Sequence, residues 1–369
     1  MSLNRHVGRF FRSRWWRIGR FVVGIAIAAL VLYLLNGQRG ELVGASATLS
    51  HLRVGWLVLA VASETASYLS FAALQRRLLR GGGVRVGLRS MAGLTFAAGA
   101  IADSVPAGPA VSSVYAFHQY RRRGADEALA GWTLLATLVC AALTLGLVAT
   151  AGVLLAVRQG AAYDLIGVVF GVLIVTAVAD AVVWQRRWLA HVAIFLLKVS
   201  RRLLKRPRRE AVVVVDGWFT RLAGVRLSWR DLSATVVFGL GQWCFDCGCL
   251  AFSFLAVGVP VPWRGLLLAY GAGQLAANLP VTPGGLGVVE GSLTVALVAF
   301  GGAELSTVAA VLTYRVVSFW GFLPVGWIVW GVTTLGNRRA DRATSAAPLR
   351  RGISLADVAA APSEEAVGE

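Results

Sequence analysis

Two interruptions of the same design break the apolar stretches of this chain, and they limit its possible folds more than any other feature. The first runs Ala98-Gly99-x2-Ala102-x3-Pro106-x2-Pro109. The second runs Ala272-Gly273-x2-Ala276-x3-Pro280-x2-Pro283 and continues Gly284-Gly285-Leu286-Gly287. Proline has no N–H to give a helical ladder and its ring clashes with the preceding turn. Irregular backbone at membrane depth is tolerated only where protein or a hydrated cavity surrounds it. A duplicated, Pro/Gly-broken apolar segment therefore predicts paired discontinuous helices that build a site near the bilayer midplane, the plan of a transporter.

A membrane setting follows from composition. Of 369 residues, 57% are hydrophobic and 15% charged, and the mean hydropathy is +0.68; soluble domains are roughly 45–50% apolar and about 25% charged. Uncharged runs at Phe21–Leu35, Ala128–Val157, Leu165–Ala179 and Leu323–Leu335 exceed what a surface-bound amphipathic protein needs. No small-residue cleavage site follows Phe21–Leu35, so that run is expected to persist as a helix rather than leave as a signal peptide. The net charge of +18 lies in loops, which argues against nucleic acid as a partner and for anionic headgroups on the cytoplasmic face.

The arginines set the topology. Six full crossings are expected at 18–35, 54–75, 128–157, 163–184, 232–257 and 306–335, with broken segments at 90–120 and 264–301. If each broken segment returns to the side it left, all of the 36 Lys and Arg fall on one side except Arg39, Arg53, Arg158, Arg264 and Arg315. That side is then cytoplasmic. Two short full crossings in place of each hairpin satisfy the same partition. An odd number of crossings separates the helices that precede the two broken segments, so the second unit is upside down relative to the first. The expected fold is an all-α, polytopic helical membrane protein with inverted repeats, each holding a Pro/Gly-broken, re-entrant helical hairpin. Residues 1–17 form a basic cytoplasmic N-terminus and 18–335 the transmembrane domain, with repeats at about 54–157 and 232–335. A basic linker, 185–231, is either an amphipathic helix on the inner leaflet or an ordinary positive-inside loop, and 336–369 is a disordered tail. The location is the inner cell membrane, with both termini cytoplasmic.

Ionisable residues within a membrane are costly and mark function. This chain has Glu64, Asp103, Asp180, Asp246, Glu290 and Arg315 there. Glu290 follows the Gly-rich return of the second hairpin, and Arg315 lies deep in the final helix. Either they form a fixed ion pair holding hairpin to helix, or Arg315 meets a lipid phosphate with Glu290 as its switchable partner. Asn278 occupies the place of Ser104 in the first copy, and each either satisfies freed backbone or binds a ligand. Pro106, Pro109, Pro280 and Pro283 leave carbonyls free at the tips, while Gly284, Gly285 and Gly287 allow a tight turn and a close approach to a ligand. A helix arm starting at these glycines offers its N-terminus to an anion such as phosphate. Asp103 is a candidate proton site or a residue at a hydrated tip. Glu64 is placed to face the bundle interior. Cys244, Cys247 and Cys249 read as small core residues, with no metal site. No catalytic nucleophile–base set, ATP-binding loop or cofactor motif is present in the sequence.

At Asn278-Leu279-Pro280-x2-Pro283-Gly284-Gly285-Leu286-Gly287-x2-Glu290, followed by Arg315, the sequence resembles the transmembrane-domain family of lysylphosphatidylglycerol synthases, over roughly residues 20–335. Members best known for this domain join a lipid-flipping membrane domain to a soluble aminoacyl-transferase. The resemblance implies lipid translocation, carried by Asn278, Pro280, Pro283, Gly284, Gly285, Gly287, Glu290 and Arg315. Residues after 336 are too few for a synthase domain, so a stand-alone, non-enzymatic translocase is expected. Its substrate is an anionic or aminoacylated phospholipid. The alternative is a membrane accessory subunit or transferase for polyprenyl-linked glycans or lipid modification, in which Glu64 and Asp103 form the acid–base set. A homo-oligomer and a separate lipid-modifying enzyme are the protein partners this reading allows.

Overall fold

A computed structural model describes residues 52–105, 108–158, 228–277 and 283–350. The expected crossings at 18–35 and 163–184, Asp180, most of the linker, and residues 351–369 lie outside the described residues. Within them the chain is helical and no strand occurs.

Four long helices carry the crossings. Helix α1, Val54–Gly81, has 28 residues, about 42 Å at 1.5 Å per residue. It closes where Gly82 N–H donates to the Leu79 carbonyl and Gly83 turns to a positive φ. Helices α2 (Leu88–Ser104) and α3 (Gly108–Arg122) are the arms of the first broken segment. Helix α4, Glu127–Arg158, starts where Asp126 Oδ1 accepts from Leu129 N–H at 2.8 Å. Helix α5, Trp229–Val257, starts at the Ser228 cap and ends at Gly258, whose φ of 83° lets its N–H and the next reach back to the last turn. The second broken segment comprises α6 (Trp263–Ala277), a 3-10 turn at Pro283–Gly285, and α7 (Val288–Ala299). Helix α8 (Glu304–Arg315), a π-helical turn (Val316–Gly321) and α9 (Phe322–Arg350) then run on as one long element. Among the described residues four stretches are long and apolar enough to cross a membrane: Val54–Gly81, Glu127–Leu155, Trp229–Val257 and Glu304–Gly336. They correspond to four of the six expected crossings. Helix α9 continues to Arg350, so the backbone over 337–350 is helical where composition alone pointed to disorder.

Outward and inward faces differ in the membrane sense. Val58, Leu138, Val295, Ile328 and Val332 are each at least 60% exposed, while Glu64 and Arg315 are buried at 4% and 8%. Apolar side chains facing out and charges facing in is the arrangement lipid demands.

Packing divides into two cores, each built round one broken segment. One joins α1 to α4 through Leu79, Met91, Tyr120 and Leu129; the other joins α5 to α8 through Phe254, Tyr270, Leu293 and Tyr314. The two cores meet where α1 packs against α5. Arg53 N–H donates to the Ala256 carbonyl (2.9 Å), Ser63 Oγ to the Phe245 carbonyl (2.6 Å) and Ser67 Oγ to the Gln242 carbonyl (2.9 Å), while Arg77 pairs with Asp231 (3.2 Å). Rising numbers on α1 meet falling numbers on α5, so the helices run antiparallel. Each half then reaches across: α4 packs on α6, and α9 packs on α2. Both crossings rely on glycine. A Cβ at Gly152 would stand 2.7 Å from the Leu268 nitrogen, and one at Gly326 would run into the Phe96 carbonyl and Ala100. Gly152 and Gly326 have the same sequence spacing as Gly99 and Gly273, so the duplication extends from the break to the helix that crosses over it.

The basic loops gather at one end. Besides the Arg77–Asp231 pair, Arg123 Nε donates to Ser90 Oγ at 3.0 Å, and Arg76 Nε to the Val86 carbonyl at 2.9 Å. The first contact brings the end of α3 back to the start of α2. At the opposite end of α1, where Arg53 meets Ala256, Val259–Arg264 and Phe300–Ala303 line one pocket. Phe300 there lies against Gly265, so α7 likewise ends near the start of α6.

Candidate functional site

The turn that leads into α7 is made by backbone that only glycine adopts readily. Gly284, Gly285 and Gly287 have φ of 62°, 67° and 81°, a region that costs other L-residues about 1–2 kcal/mol each. The reversal packs the Pro283–Gly285 turn against the end of α2. A Cβ on Gly284 would stand 3.1 Å from the Asp103 carbonyl oxygen and overlap the Phe319 ring. The end of α2 in the first broken segment and the glycine turn of the second therefore touch.

A clasp fixes this turn. Glu290, in the first turn of α7, accepts the Gly287 N–H on Oε2 at 2.7 Å. Its Oε1 accepts from Arg315 Nε at 2.6 Å, and Arg315 Nη2 donates to the Gly284 carbonyl at 2.8 Å. The guanidinium also lies over the Phe319 ring, 4.6 Å from its centre. One planar fork thus binds a carboxylate and a tip carbonyl at once, a geometry that lysine cannot supply. The side chains are 10% and 20% exposed, and removing one partner of such a pair typically costs about 3–5 kcal/mol. Glu290 itself, rather than an outside anion, takes the Gly287 N–H at the start of α7.

One residue back along α8 a second network begins. Asp246 on α5 accepts from Tyr314 Oη on Oδ1 (2.8 Å), and on Oδ2 from Tyr270 Oη (2.7 Å) and Gln274 Nε2 (3.1 Å). The Glu64 carboxyl of α1 sits against Asp246 and the Cys249 thiol. Its Oε2 is buried without a hydrogen-bond partner. Tyr68, one turn on from Glu64, stacks on both Phe96 of α2 (4.8 Å) and Phe322 of α9 (5.0 Å), tying three helices round the cluster.

Of the residues singled out from sequence, Gly284, Gly285, Gly287, Glu290 and Arg315 come together at the tip, with Asp103 beside them. Ser104 lies at the end of α2; its hydroxyl donates to the Ala100 carbonyl (2.6 Å) and accepts from Trp327 Nε1 (3.0 Å), serving backbone and helix packing. Glu64 lies in the second network, where its hydrogen-bonding neighbour is Asp246 rather than Asp103. α1 and α5 are antiparallel, and the register of their contacts sets residue 64 against 246. Pro283 opens the tip turn, whereas Pro106, Asn278 and Pro280 lie outside the described residues. Sequence reasoning did not single out Tyr270, Gln274 or Tyr314. The i, i+4 spacing of Tyr270 and Gln274 was a signal that one polar stripe of α6 faces inward. Among the described residues no group of three or more His, Cys, Asp or Glu is placed to hold a metal ion. Cys247 and Cys249 are buried in the second core.

Comparison with known proteins matches residues 21–326 to the family described as the lysylphosphatidylglycerol synthase TM region. A UPF0104 membrane protein of Pyrococcus horikoshii is 29% identical over 121 residues, 33% of this chain and 34% of the relative. A UPF0104 membrane protein of Methanothermobacter thermautotrophicus is 42% identical over 81 residues, 22% of this chain and 23% of the relative. The matched stretches thus span 34% and 23% of the length of these curated relatives.

Proposed function

Because this chain belongs to the lysylphosphatidylglycerol synthase TM region family, we propose that it is a lipid translocator that carries an anionic or aminoacylated phospholipid between the leaflets of the cell membrane. The observation that carries this reading is the meeting of Asp103 at the end of α2 with Gly284 at the tip of the second hairpin, beside the buried Arg315–Glu290 clasp. In this reading the broken segments are re-entrant hairpins of two inverted repeats. The antiparallel run of α1 and α5 supports that, as do the return of α3 to Ser90 and of α7 to Gly265. Opposed hairpins of this kind let two halves exchange conformations around a fixed site.

The headgroup would pass between the tips while acyl chains stay in the bilayer, beside the exposed apolar faces of α7 and α9. The end that gathers Arg76, Arg77 and Arg123 would face the cytoplasm, with both termini on that side. The chain acts in this reading as a transporter rather than an enzyme, as a monomer or homo-oligomer, supplied by a separate lipid-modifying enzyme.

Proteoliposomes holding labelled aminoacyl-phosphatidylglycerol, phosphatidylglycerol or a polyprenyl-phosphate sugar test this. Leaflet exchange of one lipid, accelerated by wild type and lost in a folded Glu290→Gln variant, is expected. Folded wild-type protein that accelerates none of them overturns translocation and favours the accessory or transferase role in polyprenyl-linked glycan synthesis.

A further inference from the structure

The two acids nearest the middle of α1 and α5 are supplied with donors very unequally. Asp246 accepts three hydrogen bonds, from Tyr314, Tyr270 and Gln274. Glu64, on the facing helix and 4% exposed, has an Oε2 with no partner at all. An ionised carboxylate accepts only, so its buried oxygens need donors; a protonated one brings a donor of its own. Burying a charged oxygen with neither donor nor counter-ion is among the costliest arrangements a protein interior can hold.

Among the described residues no counter-ion is placed to relieve this. The titratable or charged groups facing the pair are Asp103 of α2, Cys247 and Cys249 of α5, Tyr68 of α1, Tyr270 of α6, and Tyr314 and Arg315 of α8. The π-helical turn that also packs on α1 carries none, and α4 carries only Cys140 between Glu127 and Arg158. Arg315, the one cation of that set, is already bound to Glu290 and to the Gly284 carbonyl. A proton between the two carboxyls answers both deficits. It makes Glu64 a neutral donor, and it leaves Asp246 as the anion that the two tyrosines and the glutamine hold.

We propose that Glu64 and Asp246 form a proton-binding site at the centre of the bundle, sharing one exchangeable proton. A proton is favoured over a metal cation because, among the described residues, no group of three or more His, Cys, Asp or Glu is placed to hold a metal ion. Glu290, with both oxygens engaged, is not the exchanging acid. One turn before Asp246, Gln242 also keeps its Oε1 buried and unpartnered, which extends the row of unsatisfied acceptors toward the Arg77–Asp231 end of the bundle. The site's role as a driver of transport rests on the lipid-translocation reading; its existence does not.

Infrared difference spectroscopy on the purified chain in lipid nanodiscs, with a pH step and H2O/D2O exchange, reads the site directly. Wild type is expected to show the C=O stretch of a protonated carboxylic acid that shifts in D2O. The band should be lost in Glu64→Gln and lost or displaced in Asp246→Asn, with both variants shown to be folded by monodisperse elution. A band unchanged in both variants, or absent from wild type across the pH range of the folded protein, overturns the proposal. So does a band abolished by Na+ or K+ at fixed pH, which would assign the site to a metal ion. Proteoliposomes with an imposed pH gradient separate the two ideas. A carboxyl band that behaves as expected, in protein that moves no lipid with or without a gradient, sustains the proton site and sinks the translocation reading.

Discussion

Arg315 Nε donates to Glu290 Oε1 at 2.6 Å, and through that single bond α8 holds α7 by its first turn. The neighbouring Tyr314 donates to Asp246 instead. Two consecutive residues on α8 thus hold two different acids, one at the hairpin tip and one on α5, which ties both networks to the position of one helix. The π-helical turn that follows directly is the natural place for that helix to shift register.

The clasp predicts strong non-additivity. Arg315→Ala should destabilise the protein by about 3–5 kcal/mol, because it strands Glu290 in a buried site. Glu290→Ala made in the Arg315→Ala background should recover a large part of that loss. Thermal unfolding of the two singles and the double in detergent gives the coupling. Simple addition of the two losses would mean that the pair contributes nothing as a pair.

The two ends of the glycine turn should respond differently to alanine. At Gly287 a Cβ meets nothing within 4 Å, so Gly287→Ala should cost only the positive φ, about 1–2 kcal/mol. At Gly284 the same change adds overlap with Phe319 and closeness to the Asp103 carbonyl. Melting temperatures should therefore rank wild type, Gly287→Ala, Gly284→Ala in falling order. Equal melting temperatures for the two variants would remove the tip-to-tip contact from consideration.

Chemical labelling can report the path of each broken segment. In a Cys244→Ser background, Ser90→Cys and Arg123→Cys should react with a membrane-impermeant thiol reagent from one side. Gly265→Cys and Phe300→Cys should react from the other. Within each pair a short bifunctional reagent should cross-link the two cysteines. Labelling of 90 and 123 from opposite sides would mean that the segment crosses rather than returns.

Much of this was legible in the chain itself, because it rests on local chemistry. Pro283 and Gly284–Gly287 cannot continue a helix, so a break with left-handed backbone could be expected there, and three of those glycines adopt it. Glu290 lies three residues after Gly287, the spacing at which a side chain caps its own helix. Of the crossings expected from the apolar segments, four coincide with long apolar helical stretches among the described residues. Over 337–350 the backbone is helical, and Ala- and Arg-rich sequence serves a helical extension as well as an unstructured tail.

What sequence alone determined was the set of segments that must be helical, where each must break, and which residues were too costly to bury without purpose. It could not determine partners across the bundle, because these depend on the register between helices far apart in the chain. Glu64 met Asp246 rather than Asp103 because α1 and α5 run antiparallel, with Ser63 bonded to Phe245 and Ser67 to Gln242. Gly152 and Gly326 became crossing points only once α4 lay on α6 and α9 on α2. Local backbone chemistry acts over a few residues and can be read along the chain; pairing of buried charges acts through space, and only the packed structure decides it.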